Sequence, residues 1–213
     1  MLHLKFKDKN SMISRHFCLS IPFTLLAAVG FLCPLPSRGD SQPALELSND
    51  AVQLKVPFER QEDPKACGLA VLKMISGYYG KKLNQAQVDW IRTNSQAGEG
   101  VMASELVTVF GAAEFDTALF QGTMDNQPTG LFYHLDKKRP LVVMITSKDG
   151  KSSHYDVVTG YDPLKSRLLI LDPATGPVTA VLKDFNEAWK RAHCFTLVAV
   201  PKALMQKTPA PKK

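Results

Sequence analysis

The chain changes character at Pro140, and that change limits what it can fold into. Beyond it, "LVVMIT" (141–146), "YDVVTGY" (155–161), "RLLILD" (167–172) and "CFTLVAV" (194–200) are short runs rich in β-branched and aliphatic residues, bounded by Gly, Asp and Pro. Runs of that length and punctuation predict strands. Before Pro140 the apolar residues follow a helical period instead. Leu69, Leu72, Ile75 and Tyr79 fall on one side of "CGLAVLKMISGYYG", which starts after Pro64 and closes at Gly80. "NQAQVDWIR" (84–92) and "MASELVTVFG" (102–111) predict two more short helices. "QPTGLFYHLDKKRP" (127–140) predicts a fourth, with Leu131, His134 and Leu135 together, and "LKDFNEAWKRA" (182–192) a fifth before the last strand. Helices first and an antiparallel sheet afterwards predict an α+β domain with a two-layer core.

The ends differ from the middle. Lys5, Lys7, Lys9 and Arg15 precede the uncharged apolar run "FCLSIPFTLLAAVGFLC" (17–33). That run is short for a spanning helix of roughly 20 residues and is interrupted by Pro22. Small residues follow, and cleavage after Gly39 would leave Ser37 and Gly39 at the small-residue positions. Residues 1–39 are therefore expected to be an export signal or, uncleaved, an N-terminal membrane anchor, which puts the domain in the periplasm or elsewhere outside the cytoplasm. Residues 40–53 read as an exposed lead-in, 54–201 as one domain, and "PKALMQKTPAPKK" as a disordered Pro/Lys tail over 202–213.

The net charge of +6 belongs to those ends. They hold nine of the 26 Lys/Arg and one of the 20 acidic residues, so the span 40–201 is slightly acidic. No nucleic-acid partner is expected from such a distribution, and membrane contact only through an uncleaved N-terminal segment.

Removal of residues 1–39 leaves two cysteines, Cys67 and Cys194. In an exported protein the plain expectation is a disulfide. The surroundings of Cys67 argue for a nucleophile. It opens a helix, where free backbone N–H groups and the helix dipole favour a thiolate, and Gly68 allows close approach of another group. A thiol nucleophile needs a base, and the base needs an orienting acceptor. Of the histidines beyond the leader, His134 fits the edge of a core, and His193 ends a basic helix where a cation suits the dipole. His154 opens a strand just after the polar turn "KDGKSS". If the next strand forms a hairpin through "DPLKS", Tyr161 faces Arg167 and Asp156 faces Asp172. His154 is then the diagonal neighbour of Asp172 on the same face. Asp156 and Asp162 are rival acceptors, the latter better read as a turn former before Pro163. Gln61 lies upstream of Cys67 across a Pro-containing turn, and a side-chain amide there can donate to a developing oxyanion.

Together "VPFERQEDPKACGLAVLKMISGYYG", "HYDVVTGYD" and "LLILDPATG" resemble the bacteriocin-processing, double-glycine-leader cysteine peptidases, over roughly Val56 to Pro201. The resemblance implies a papain-like fold, with N-terminal helices packed on an antiparallel sheet. It also implies Cys67 as nucleophile, His154 as general base and then acid, Asp172 as the group orienting the imidazole, and Gln61 in the oxyanion hole. No cofactor and no metal are implied, and no metal-ligand spacing is visible. Transporter membrane and nucleotide-binding segments do not occur in the sequence, so the expectation is a free-standing exported member, accessory to a secretion apparatus. Its substrate is expected to be a peptide or protein destined for export, such as an amyloid subunit or a bacteriocin-type peptide. "GEGVMASEL" (98–106) and "ATGPV" (174–178) are expected near the cleft. Two other classes share these residues: a papain-like acyltransferase or deamidase, and a substrate-binding module without turnover.

Overall fold

A computed structural model describes residues 46–98 and 100–205. It is α+β, as expected. Helix α1 (Cys67–Tyr78) buries Leu69, Leu72, Met74 and Ile75. The chain leaves it through Gly80, whose φ of +69° glycine adopts at little cost. Helix α2 (Gln85–Ala97) begins on a reciprocal cap, with the Gln87 N–H donating to Asn84 Oδ1 at 2.9 Å and the Asn84 N–H donating to Gln87 Oε1 at 2.8 Å. Helix α3 (Ala103–Ala112) starts where the Met102 N–H donates to Glu105 Oε2 at 2.7 Å.

Ahead of these lies β1 (Val52–Gln53); after them come β2 (Phe115–Gln121), α4 (Leu131–Asp136), β3 (Leu141–Thr146), β4 (Ser153–Asp162), β5 (Arg167–Asp172), β6 (Gly176–Val181), α5 (Leu182–Arg191), β7 (Phe195–Pro201) and the short α6 (Lys202–Met205). Among the described residues the strands form one antiparallel sheet in the order β2-β7-β3-β4-β5-β6, with β1 paired to β4. No helix among the described residues is long and apolar enough to cross a membrane.

Two cores differ from the two-layer expectation. Val142, Tyr155, Val157, Leu171, Leu197 and Ala199 pack with α1, α2 and α3. Their strand neighbours Val143, Val158, Ile170 and Val198 pack instead with Leu131 and Leu135 of α4 and with Phe185 and Trp189 of α5. Successive strand residues point to opposite faces, so the sheet is covered on both. That is why the central strands read as continuous apolar runs rather than alternating ones.

The strands β2 and β6 lie outside the sequence expectation. Both are edges of the sheet, and "FDTALFQ" and "GPVTAV" lack the long apolar run of a doubly covered strand. The segment just before residue 54 is not a solvated lead-in. The Ser48 N–H and hydroxyl donate to Asp162 at 2.8 and 2.7 Å, and Val52 and Gln53 pair with Tyr161 and Gly160. Residues 202–205 continue from β7 as α6, anchored by a Lys202 N–H to Glu114 carbonyl bond of 3.1 Å, rather than opening a loose tail. The expected signal segment 1–39, the start of the lead-in and residues 206–213 lie outside the described residues.

Candidate active site

Cys67 is the first residue of α1 and only 7% exposed. A turn over Asp63–Ala66 leads into it, closed by an Ala66 N–H to Asp63 carbonyl bond of 3.1 Å. Gly68 meets the Val101 side chain: a Cβ at position 68 would lie 2.5 Å from Val101 Cβ. The missing side chain therefore admits Val101 against the head of the helix. Cys67 and Cys194 are both free thiols, so the disulfide expectation does not hold.

His154 is the second residue of β4, just past the turn after β3, and is paired across to Ile145. Its Nε2–H donates to Asp172 Oδ1 at 3.0 Å, which leaves Nδ1 outside that bond. Burial draws the imidazole toward its neutral form. The neighbouring Cys67 and the charges of Asp156 and Asp172 outweigh burial and lift its pKa to about 9. A protonated imidazole is the partner that stabilises a thiolate, the form in which a thiol attacks.

Asp172 ends β5. Its Oδ1 also accepts from the Ala174 N–H at 2.7 Å and the Thr175 N–H at 3.3 Å, and its Oδ2 accepts from the Thr175 hydroxyl at 2.6 Å. Burial pushes its pKa up, but the Thr175 and Ala174 donors and the charge and hydrogen bond of His154 hold it below the ordinary carboxylate value. The Asp-Pro turn is tied to the nucleophile's side of the site by the Gln61 N–H, which donates to the Pro173 carbonyl at 3.0 Å. The Gln61 side-chain oxygen is buried and has no hydrogen-bond partner. The Arg60 guanidinium donates to the Ala174 carbonyl, bracing the same turn.

The hairpin register differs from expectation at its tip and agrees at its base. Tyr161 faces Leu168 rather than Arg167, which pairs with Asp162. A bulge between Val158 and Gly160 then shifts the pairing by one residue, giving Val158 opposite Ile170 and Val157 opposite Leu171. Continued one step, this puts Asp156 opposite Asp172, so His154 is diagonal to Asp172 as expected. Of the rival acceptors, Asp162 sits at the far end of β4, taken up by Ser48 and by the Lys165 N–H at 3.1 Å. Asp156 is at the site: its Oδ1 is 3.7 Å from His154 Nε2.

The other histidines are elsewhere. His134 is buried in α4 with Nε2 3.0 Å from the Pro128 carbonyl, and burial lowers its pKa. His193 is exposed after α5. His154, Asp156 and Asp172 each offer one ligand atom within 4.8 Å of the others, a spacing a cation could use. The His154–Asp172 distance is already that of a hydrogen bond. The sequence places the segments holding Thr175 and Val101 near the cleft but gives neither residue a role. The first could have been suspected from "DPAT", where a hydroxyl three residues beyond an aspartate closes back on it.

Residues 55–199 match the model of the Peptidase C39 family. Among curated proteins, the chain is 31% identical over 144 residues to the mesentericin-Y105 transport/processing ATP-binding protein MesD of Leuconostoc mesenteroides, an alignment covering 66% of this chain and 18% of that protein. It is 33% identical over 140 residues to the transport/processing ATP-binding protein ComA of Streptococcus pneumoniae, covering 65% and 18%. The chain thus spans less than a fifth of these relatives' length. Among solved structures, the peptidase domain of Streptococcus ComA superposes with a TM-score of 0.54 at 23% identity, covering 68% of this chain and 97% of that one. A double-glycine-motif protease from an AMS/PCAT transporter, solved with its leader peptide, gives 0.54 at 20% identity, covering 70% and 94%. At these identities the likeness shows the fold.

Proposed function

Because the chain belongs to the Peptidase C39 family and is a cysteine peptidase, we propose that Cys67, His154 and Asp172 carry its chemistry and that it cuts after a double-glycine-type motif. The observation that carries this reading is the 3.0 Å bond from His154 Nε2–H to Asp172, with the other face of the ring left to Cys67. In this mechanism the Cys67 thiolate attacks the peptide carbonyl. The Cys67 N–H, free at a helix start, and the Gln61 side-chain amide donate to the oxyanion. His154 then protonates the leaving amine. With its proton gone, it takes one from the water that hydrolyses the thioester, regenerating the thiol. Asp172 holds the ring and supports its positive charge.

The double-glycine specificity rests on the solved relative named for that motif and on the processing relatives in the alignments. The basic and apolar character of residues 1–33 supports a peptidase exported from the cytoplasm and serving a secretion route, with residues 54–201 as its domain. The test is incubation of the chain with a peptide carrying a Gly-Gly leader end, in the presence of a small amine, with Cys67→Ala alongside. The expected result is a free carboxyl product cut after the second glycine, abolished by the substitution. Amine conjugates would replace peptidase with acyltransferase, and binding without cleavage by both proteins would leave a binding module.

A further inference from the structure

Asp156 is a carboxylate at the site to which this mechanism gives no task. It is 3% exposed, and its Oδ1 has no hydrogen-bond partner. A carboxylate buried without donors is unfavourable, and the following strand residues are Val157 and Val158, so an apolar side chain would suit the position better. Its placement is fixed by the strand. It lies two residues after His154 and so on the same face, opposite Val143 of β3 and, by the register, opposite Asp172 of β5.

Two carboxylates therefore face one imidazole nitrogen with different commitments. Asp172 accepts three bonds besides the one from His154, from Ala174 and Thr175, which fix its orientation and spread its charge. The Asp156 Oδ1 accepts none and lies 3.7 Å from Nε2.

We propose that Asp156 is a positioning residue of the peptidase: its buried carboxylate holds the proton on His154 by charge, while Asp172 sets the ring's orientation by hydrogen bonding. The inference rests on the reading of His154 as the partner of Cys67. The other titratable groups around the ring are Cys67 from α1 and Asp172 from β5. The β3 residues opposite are the apolar Val143 and Ile145, and Arg191 of α5 is committed to the Thr146 carbonyl at 2.9 Å. Glu105 of α3 acts on Tyr155, the residue between His154 and Asp156.

The electrostatics of the two groups agree in direction. Burial pushes Asp156 up to about 7, against the charge of His154 and with that of Asp172, and the Asp156 charge is among the causes that lift His154. Above about pH 7 Asp156 is thus an anion that keeps His154 protonated, and removing it should let His154 lose its proton at lower pH.

The experiment is an NMR titration of the histidine ring protons in the full chain, in wild type and Asp156→Asn, with iodoacetamide labelling of Cys67 followed by peptide mapping in both and in His154→Ala. The expected result is a fall of about one pH unit in the His154 midpoint in Asp156→Asn, with the exposed His193 unmoved. Should the asparagine variant not fold, Asp156→Val, with a side chain native to this strand, carries the same test. An unmoved His154 midpoint, or an equal shift in His193, overturns the proposal. If the midpoint is unmoved while His154→Ala still abolishes rapid Cys67 labelling, only this proposal fails. If His154→Ala leaves the labelling unchanged, the reading of the site fails with it.

Discussion

At His154, burial and neighbouring charge act in opposite directions, and charge wins. The folded protein binds this proton more tightly than the unfolded chain, whose value is 6.5. The stability it contributes is therefore complete below pH 6.5 and is lost as pH rises through about 9. Turnover that needs the imidazolium fades over the same upper range. Asp172 differs from Asp156 in holding the ring as well as charging it. Asp172→Asn removes the acceptor of Nε2–H and should cut the rate of peptide cleavage by about 10²–10⁴-fold, besides moving the basic limb of the pH profile downward. Asp156→Asn should move that limb with a much smaller loss of rate. Comparison of pH–rate profiles for the two variants checks the distinction, and equal losses in both would contradict it.

At the scale of elements, the site depends on how β4 and β5 keep register. Thr159 is the residue skipped in the pairing, and its carbonyl accepts the Leu54 N–H at 2.8 Å, where the chain leaves β1. Gly160, next in line, lies so close to β1 that a Cβ there would be 2.0 Å from the Val52 carbonyl oxygen and 2.9 Å from Leu169 Cδ1. Gly160→Ala should therefore destabilise the fold by about 1–3 kcal/mol, read as a lower urea midpoint at unchanged slope. A change below about 0.5 kcal/mol would mean that β1 is held too weakly to matter. The head of α1 shows the same logic, since Gly68 has no room for a Cβ beside Val101.

Over the whole molecule, what the sequence made legible follows from burial. Strands β3, β4, β5 and β7 are covered on both faces and so appear as uninterrupted apolar runs, whereas the edges β2 and β6 carry Asp, Gln, Gly and Pro among their apolar residues and leave no such trace. Cys67, His154 and Asp172 stood out in the sequence because each stands at or near the end of an element, beside a turn rather than in the middle of an apolar run. The diagonal placement of His154 and Asp172 follows from the sequence despite a tip register that is off by one, because a bulge that no periodicity encodes cancels the error. Thr175 and Val101 act through contacts made only on folding. The central claim is that α1 and the hairpin bring a thiol and an imidazole into one working pair. The most direct test is the rate of Cys67 alkylation by iodoacetamide against pH, in wild type and His154→Ala. The account predicts rapid labelling below about pH 8, where an ordinary thiol is mostly protonated, and its collapse in the variant. An ordinary thiol profile that is the same in both proteins would contradict it.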